Sequence, residues 1–555
     1  MKTRIGALLI PLSFSLACTD PAQMDDGDNA VDLAALDGLF ADFSSADGPG
    51  CAVAVSRDGQ QVLSRGYGSA NLEWDIPNTG ETVFEPGSVS KQFAAAATIM
   101  LVLDGAISLD DDIRDYIPEM PDYGEPITVQ MLVKHTSGLR DWGSIAGIEG
   151  WNRTTRIHTH KHMLDIASRQ RSLNYEPGQY YSYTNTGYNL QAVLVERVSG
   201  MTFEEFSQLR IFGPLGMTKT QWRDDFTEIV KHRSVAYTHS ENDGWSMLMP
   251  FENVHGNGGL LTTVGDLLKF THNLDTGEVG GSDFVDLMHQ QGVLDSGHEI
   301  PYAGGLFVGE YKGVREVQHS GGTAGYRGFL TRFPDHGIAV SLMCNAGSAN
   351  PGQLAHEVAD LYLGDAISED APISEIVSAT IEANQLNALT GGYRDTRTGQ
   401  HLEITSDGES LGIGGMSLTP ISDTEFASLA RGASLKFDGP ARGGVRPTAI
   451  LDSPVDDGVL IEPVGKFHPT SAQLREYTGT YHSDEAEVTY WIEVEDGSLQ
   501  IKDRYGDTEE LEPVYPDAFS QGGTTYIFRR NSTGRITEAS LSQGRVWDLR
   551  FTRTQ

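Results

Sequence analysis

The chain has 555 residues, too many for a single hydrophobic core, and the length predicts about two to four domains. Its formal net charge of −37 excludes the basic face that nucleic acid or an anionic membrane surface would require. Three cysteines are too few for a disulfide scaffold.

The first element is a targeting segment. Lys2 and Arg4 precede an apolar run, Ile5 to Leu16, that is too short to span a bilayer as a mature helix. Residues 1–17 therefore read as a signal peptide and 18–30 as a polar, Asp-rich leader. Ala17-Cys18 is similar to the end of a bacterial lipobox, which implies a lipidated Cys18, although Ser15 stands where that pattern usually has Leu. Ordinary signal cleavage is the alternative. Either route predicts an exported protein, periplasmic or anchored at the membrane through Cys18.

Val31 to Phe43 reads as a short amphipathic helix, and Pro49 to Asp75 alternates apolar and polar residues around Asp58-Gly59, a hairpin signal. Mixed helices and loops extend to about Ile300. Strand patterns then cover Ala303 to Tyr311, Val314 to His319, Gly328 to Phe333 and Ile338 to Cys344, and a helix, Pro351 to Tyr362, closes the block. Strands at both ends of a helical middle predict an α/β domain over 31–364, an antiparallel sheet with an inserted helical subdomain and a cleft between them. Cys51 and Cys344 lie in apolar, strand-like runs and are expected to be buried free thiols, with a disulfide as the alternative in an oxidising compartment.

A linker follows over 365–385, its first part acidic. Beyond it the chain repeats itself. Thr390-Gly391-Gly392-Tyr393 matches Thr478-Gly479-Thr480-Tyr481, and Asp407-Gly408 with Leu411 matches Asp496-Gly497 with Leu499. Pro420, Phe426 and Phe437 then match Pro513, Phe519 and Phe528 in the same order. Two all-β modules follow from this, 386–466 and 467–555, each a small antiparallel barrel.

The chemistry begins at Ser88-Val89-Ser90-Lys91, set between the loop Phe84-Glu85-Pro86-Gly87 and a strong helix former, Gln92 to Met100. Residues three apart share a helix face, so Lys91 can approach the Ser88 hydroxyl. A serine is a poor nucleophile until a neighbouring base takes its proton, and a desolvated lysine can be that base. The helix N-terminus adds N–H groups that favour developing negative charge. Tyr183-x-Asn185 sits in a polar turn before a helix, Asn189 to Val198. A tyrosine near a lysine ammonium can titrate low enough to shuttle a proton, and an asparagine can both donate to and accept from a substrate amide. His319-Ser320-Gly321-Gly322 ends a strand with glycines that let a substrate approach backbone N–H groups. Taken singly, each pattern reads as an ordinary turn or helix start.

In this order and at these separations, Ser-x-x-Lys, Tyr-x-Asn and His-x-Gly resemble the serine hydrolases of the class C β-lactamase, penicillin-binding protein and D-aminopeptidase family. The resemblance runs from Gly50 to Leu363. It includes Ile127 to Leu139 with its His135-Thr136-Ser137-Gly138-Leu139, Glu176-Pro177-Gly178, Pro214-Leu215-Gly216-Met217 and Gly258 to Thr263. It implies a β-lactamase-like fold and an acyl-enzyme mechanism without a cofactor or metal. By the same resemblance Ser88 is the nucleophile, Lys91 its proton acceptor and Tyr183 the second acid/base. Asn185, His319, Ser320 and Gly321 bind substrate, and the N–H groups of Ser88 and Gly322 form the oxyanion hole. His319 departs from the lysine usual in β-lactamases of this family, and its charge depends on its surroundings. This shifts the expectation from β-lactams to small D-amino-acid-containing peptides or amides. A carboxylesterase, or a penicillin-binding receptor that turns over slowly, is the alternative. The trailing β modules resemble the D-aminopeptidase arrangement, in which the last domain reaches the active site.

His135 reads as a loop-fixing residue beside the cleft. His158, His160 and His162 alternate like a strand-borne metal site, but Lys161 to Arg171 reads as a helix that would splay their rings. The expected partner is a small-molecule or peptide substrate, with no nucleic acid and no membrane contact beyond Cys18. The oligomeric state is open.

Overall fold

A computed structural model describes residues 31–151, 154, 156–368, 379–428 and 432–554. The expected signal peptide, the leader up to residue 30, the lipidation site Cys18 and linker residues 369–378 lie outside the described residues.

The sheet draws on both ends of the first domain, as the strand patterns predict. Its strands are β1 (Cys51–Arg57), β2 (Gln60–Tyr67), β3 (Phe307–Tyr311), β4 (Val314–Thr323), β5 (Tyr326–Phe333) and β6 (Ile338–Cys344), in the spatial order β3-β4-β5-β6-β1-β2 with every pair antiparallel. Asp58 and Gly59 join β1 to β2 with φ of 49° and 77°, the left-handed pair that a two-residue hairpin turn needs. Cys51 faces Cys344 across the central β1–β6 pair, and the two form a disulfide. This corrects the expectation of free thiols. Each run suits a buried strand, but which strands would be neighbours is a matter of topology.

Period-two burial separates two cores. Cys51, Val53 and Val55 with Val340 and Leu342 meet Leu36 of helix α1 (Leu33–Leu39) and Leu354 and Val358 of helix α5 (Pro351–Leu363). The opposite face, with Ala52, Ala54 and Met343, packs on helix α4 (Val264–Thr276), which holds helix α2 (Lys91–Leu103) through Phe93 against Phe270 at 4.2 Å. Helix α2 is buried from Lys91 to Leu101, and its run Ala94 to Ala97 lets helix α3 (Asn185–Ser199) pack beside it. This is a β-lactamase-like sandwich with helices on both faces of the sheet.

Both β modules are closed eight-stranded antiparallel barrels, with strands between Gly391 and Pro463 and between Gly479 and Arg553. The repeat is physical as well as sequential: Tyr393 donates to the carbonyl of Leu389, and Tyr481 to that of Tyr477, each four residues upstream. Leu411, Phe426 and Phe437 fill one barrel, as Leu499, Phe519 and Phe528 fill the other.

The second barrel is bolted to the first domain through Arg140. This arginine is buried, ion-paired with Glu485 at 3.1 Å, and donates to the carbonyls of Trp547 and Asp548. The result is that the hairpin between the last two strands, Ile536–Gln543 and Val546–Arg553, points at the first domain. At its tip the Arg545 carbonyl accepts from the Asp141 N–H and from Asn174.

Candidate active site

Ser88 lies in a single 3-10 turn, Gly87–Ser90, that runs straight into α2. Gly87 begins it at φ 55°, and a Cβ there would stand 2.5 Å from the Gly322 N, so only glycine lets β4 approach the turn this closely. Gly321 makes the same demand from the other side, since its Cβ would fall 1.9 Å from the Pro86 carbonyl oxygen. Strand β4 therefore continues past the predicted end at His319 to Thr323, pairing Gly321 with Gly328 and Gly322 with Arg327. Two backbones pressed together in this way bring the N–H groups of Ser88 and Gly322 into one neighbourhood, where both residues line the same pocket.

Lys91 is fully buried, and its ammonium donates to the Ser88 hydroxyl at 3.2 Å, to Asn185 Oδ1 at 2.8 Å and to the Asn257 carbonyl at 2.8 Å. Three acceptors match its three donors. Asn185 is not in a turn but opens α3, and its own N–H donates to Asp141 Oδ2 at 2.7 Å. Asp141 thereby links Asn185 to the tip of the second barrel.

Tyr183 shares a hydrogen bond with Ser88, yet its phenol is pushed well above its ordinary value. Desolvation is the main cause, and the Ser88 hydrogen bond and the nearby Arg545 charge oppose it only in part. This differs from the sequence expectation of an acidic tyrosine. Lys91 lies over the ring, 4.8 Å from its centroid. Tyr183 is thus a protonated donor at rest. His319 is also neutral: burial and the charge of Lys91 pull it down to about 3, against a hydrogen bond to the Ser320 carbonyl at 2.6 Å. With Nδ1 donating there, its Nε2 accepts, and the Tyr302 hydroxyl stands 3.4 Å away. Ser320, next in the strand, points to the exposed side.

His135 ends the helix Val129–Lys134 at φ 60° and is fully buried beneath Tyr183, with ring centroids 4.3 Å apart. Its Nδ1 accepts the Thr184 N–H, which fixes the loop carrying Tyr183. The sequence missed four further participants. Asn257 supplies the third acceptor for Lys91, and Tyr302 caps His319. Glu85 pairs with Arg223 at 3.2 Å, both side chains 2% exposed, and accepts from the Gly259 N–H, bracing the loop of Asn257. Arg545 comes from the second barrel, its guanidinium 4.7 Å from the Tyr183 ring centroid. Asn257 and Glu85 adjoin quoted motifs and carried a faint signal. Arg545 lies 362 positions after Tyr183 and carried none.

The pocket at Ser88 encloses about 270 Å³, with Asn185, Asn257, Gly322 and Arg545 in its wall. A larger cavity of about 840 Å³ between the barrels and the first domain contains Arg397 and Trp547 but neither Ser88 nor Lys91. Nucleophilic chemistry therefore belongs to the smaller one. His158, His160 and His162 separate as the helix His160–Arg169 requires, His162 capping it through Thr159. His160 instead meets Glu196 and His255, with ligand atoms within 4.8 Å of one another. Among the described residues this trio could hold a cation, although His160 Nε2 already accepts the His255 N–H at 3.1 Å.

The family model described as Beta-lactamase matches residues 36–363. Over 538 residues the chain is 26% identical to the D-aminopeptidase of Brucella anthropi, covering 92% of this chain and 96% of that one. It is 26% identical over 411 residues to penicillin-binding protein 4* of Bacillus subtilis, covering 69% of this chain and 89% of that one. The fold is similar to that of the octameric penicillin-binding protein homologue from Pyrococcus abyssi, with a TM-score of 0.56 and 24% identity over 78% of this chain and 100% of that one.

Proposed function

The chain belongs to the beta-lactamase family and is a serine hydrolase, and on that premise we propose that it cleaves small D-amino-acid-containing peptides or amides through a Ser88 acyl-enzyme. The observation that carries this reading is the Lys91 ammonium, held by Asn185 and Asn257 within 3.2 Å of the Ser88 hydroxyl. In the reactive form Lys91 has released one ammonium proton to solvent, and the neutral amine takes the Ser88 proton as Oγ adds to the scissile carbonyl. The N–H groups of Ser88 and Gly322 receive the oxyanion. Collapse breaks the C–N bond, and the protonated Tyr183 gives its proton to the departing amine. The phenolate left behind takes a proton from water, the resulting hydroxide attacks the ester, and Lys91 returns its proton to Ser88 Oγ. The high proton affinity of Tyr183 suits this second step, because a phenolate in such a place is a strong base.

The D-amino-acid preference is supported by the likeness to a D-aminopeptidase over 92% of this chain, a share that reaches into the second barrel. Export is part of the same proposal. The basic and apolar start of the chain supports it, and so does the Cys51–Cys344 bond, since disulfides persist in oxidising compartments. Covalent labelling by a fluorophosphonate tests the mechanism: Ser88→Ala is expected to abolish it, and labelling retained at another serine would sink the assignment. Turnover of D-alanine p-nitroanilide but not of its L-isomer is the expected substrate result.

A further inference from the structure

Lys91, His319 and Arg545 are basic side chains near the Ser88 turn, and their circumstances differ. Lys91 is committed to Ser88, Asn185 and Asn257. His319 is buried and neutral, so it offers no charge to an anion. Arg545 is exposed within the pocket wall, and among the described residues no carboxylate pairs with its guanidinium. It rests on the face of Tyr183 instead. Two carboxylates, Glu85 and Glu252, share the pocket, but Glu85 is held by Arg223 and the Gly259 N–H.

An arginine is costly to hold in one place unless something fixes its backbone. Here the hairpin tip is held by the Asp141 N–H and Asn174 side chain on the Arg545 carbonyl, and by the Trp547 N–H on Asn174 Oδ1. Arg140 anchors the following strand. The guanidinium is thus delivered to the pocket on a rigid support while, among the described residues, none accepts a hydrogen bond from it, which is the arrangement of a ligand-binding group.

We propose that Arg545 is an anion subsite for the leaving group, so that the enzyme prefers substrates whose departing amine carries a carboxylate. The proposal rests on the serine-hydrolase mechanism above, because the side of the site is set by Tyr183. That tyrosine protonates the departing amine, and Arg545 lies over its ring, 4.7 Å from the centroid. A carboxylate on the carbon next to the departing nitrogen meets the planar fork of the guanidinium, which suits a bidentate pair. An amidated leaving group presents a neutral carboxamide there and forfeits the charge.

The test compares D-alanyl-D-alanine with D-alanyl-D-alaninamide, which share the scissile bond and the ammonium and differ only in the carboxylate. A charge-assisted pair of this kind predicts a kcat/KM at least about tenfold higher for the free acid. Arg545→Gln is expected to bring the ratio close to one, and Arg545→Glu to reverse it. The ratio is the readout because Arg545 also acts on Tyr183, so both rates fall in the variants. Fluorophosphonate labelling of Ser88 in each variant reports that the site is still folded. An unchanged ratio in Arg545→Gln with labelling intact overturns the subsite. No turnover of either dipeptide by wild type, with Ser88 unlabelled, overturns the hydrolytic reading instead.

Discussion

At the scale of single residues, the site is governed by which groups are kept neutral. His135, His255 and His319 are all buried, and burial holds each below its ordinary value, with neighbouring positive charge adding to the effect. A histidine of this kind binds more protons unfolded than folded, so stability falls as acid protonates the unfolded chain. The window opens near the unfolded value of about 6.5 and closes, for His319, at about 3. Within it each such histidine steepens the loss by about 1.4 kcal/mol per pH unit. Urea unfolding at pH 7, 6, 5 and 4 is expected to show this slope, and His319→Asn to remove one histidine's share. A variant as acid-sensitive as the parent would refute the assignment for His319. None of this was legible in the sequence, which left the charge of His319 open because its surroundings are set by residues as remote as Lys91 and Tyr183.

Periodicity identified β1 and β6 individually, and topology then made them neighbours and bonded Cys51 to Cys344, 293 residues apart. A bond closing so long a loop is expected to contribute about 2–4 kcal/mol, mainly by restricting the unfolded chain. In denatured, unreduced protein carrying Cys18→Ser, thiol titration should find no free cysteine. Two free thiols would remove the bond and, with it, one support for export. Strand β4 outran its predicted end for a related reason. Glycines read as a strand terminus in isolation, but Gly321 and Gly322 keep pairing with β5 because Pro86 and Gly87 press against them.

Across the whole molecule, the second barrel contributes Arg545 to the wall of the Ser88 pocket. Its attachment depends on Arg140 and Glu485, a buried pair whose loss of one partner leaves an uncompensated charge at a cost of about 3–5 kcal/mol. Glu485→Ala is therefore expected to lower the melting temperature and to weaken the discrimination between free and amidated leaving groups. Measured together, a stability loss with unaltered discrimination would show that the hairpin holds its place without the ion pair.

By itself the sequence determined the antiparallel sheet with its helical insert and the two repeated barrels, because these are carried by local periodicity and turns, and its family resemblance added the sandwich and the set Ser88, Lys91, Tyr183, Asn185, His319. Only the tertiary structure decided the disulfide, the neutral state of His319, the proton-holding Tyr183 and the arrival of Arg545. Each of those depends on what lies within a few ångströms across hundreds of residues of chain, and contact and desolvation at that range leave no periodic trace in the residues themselves.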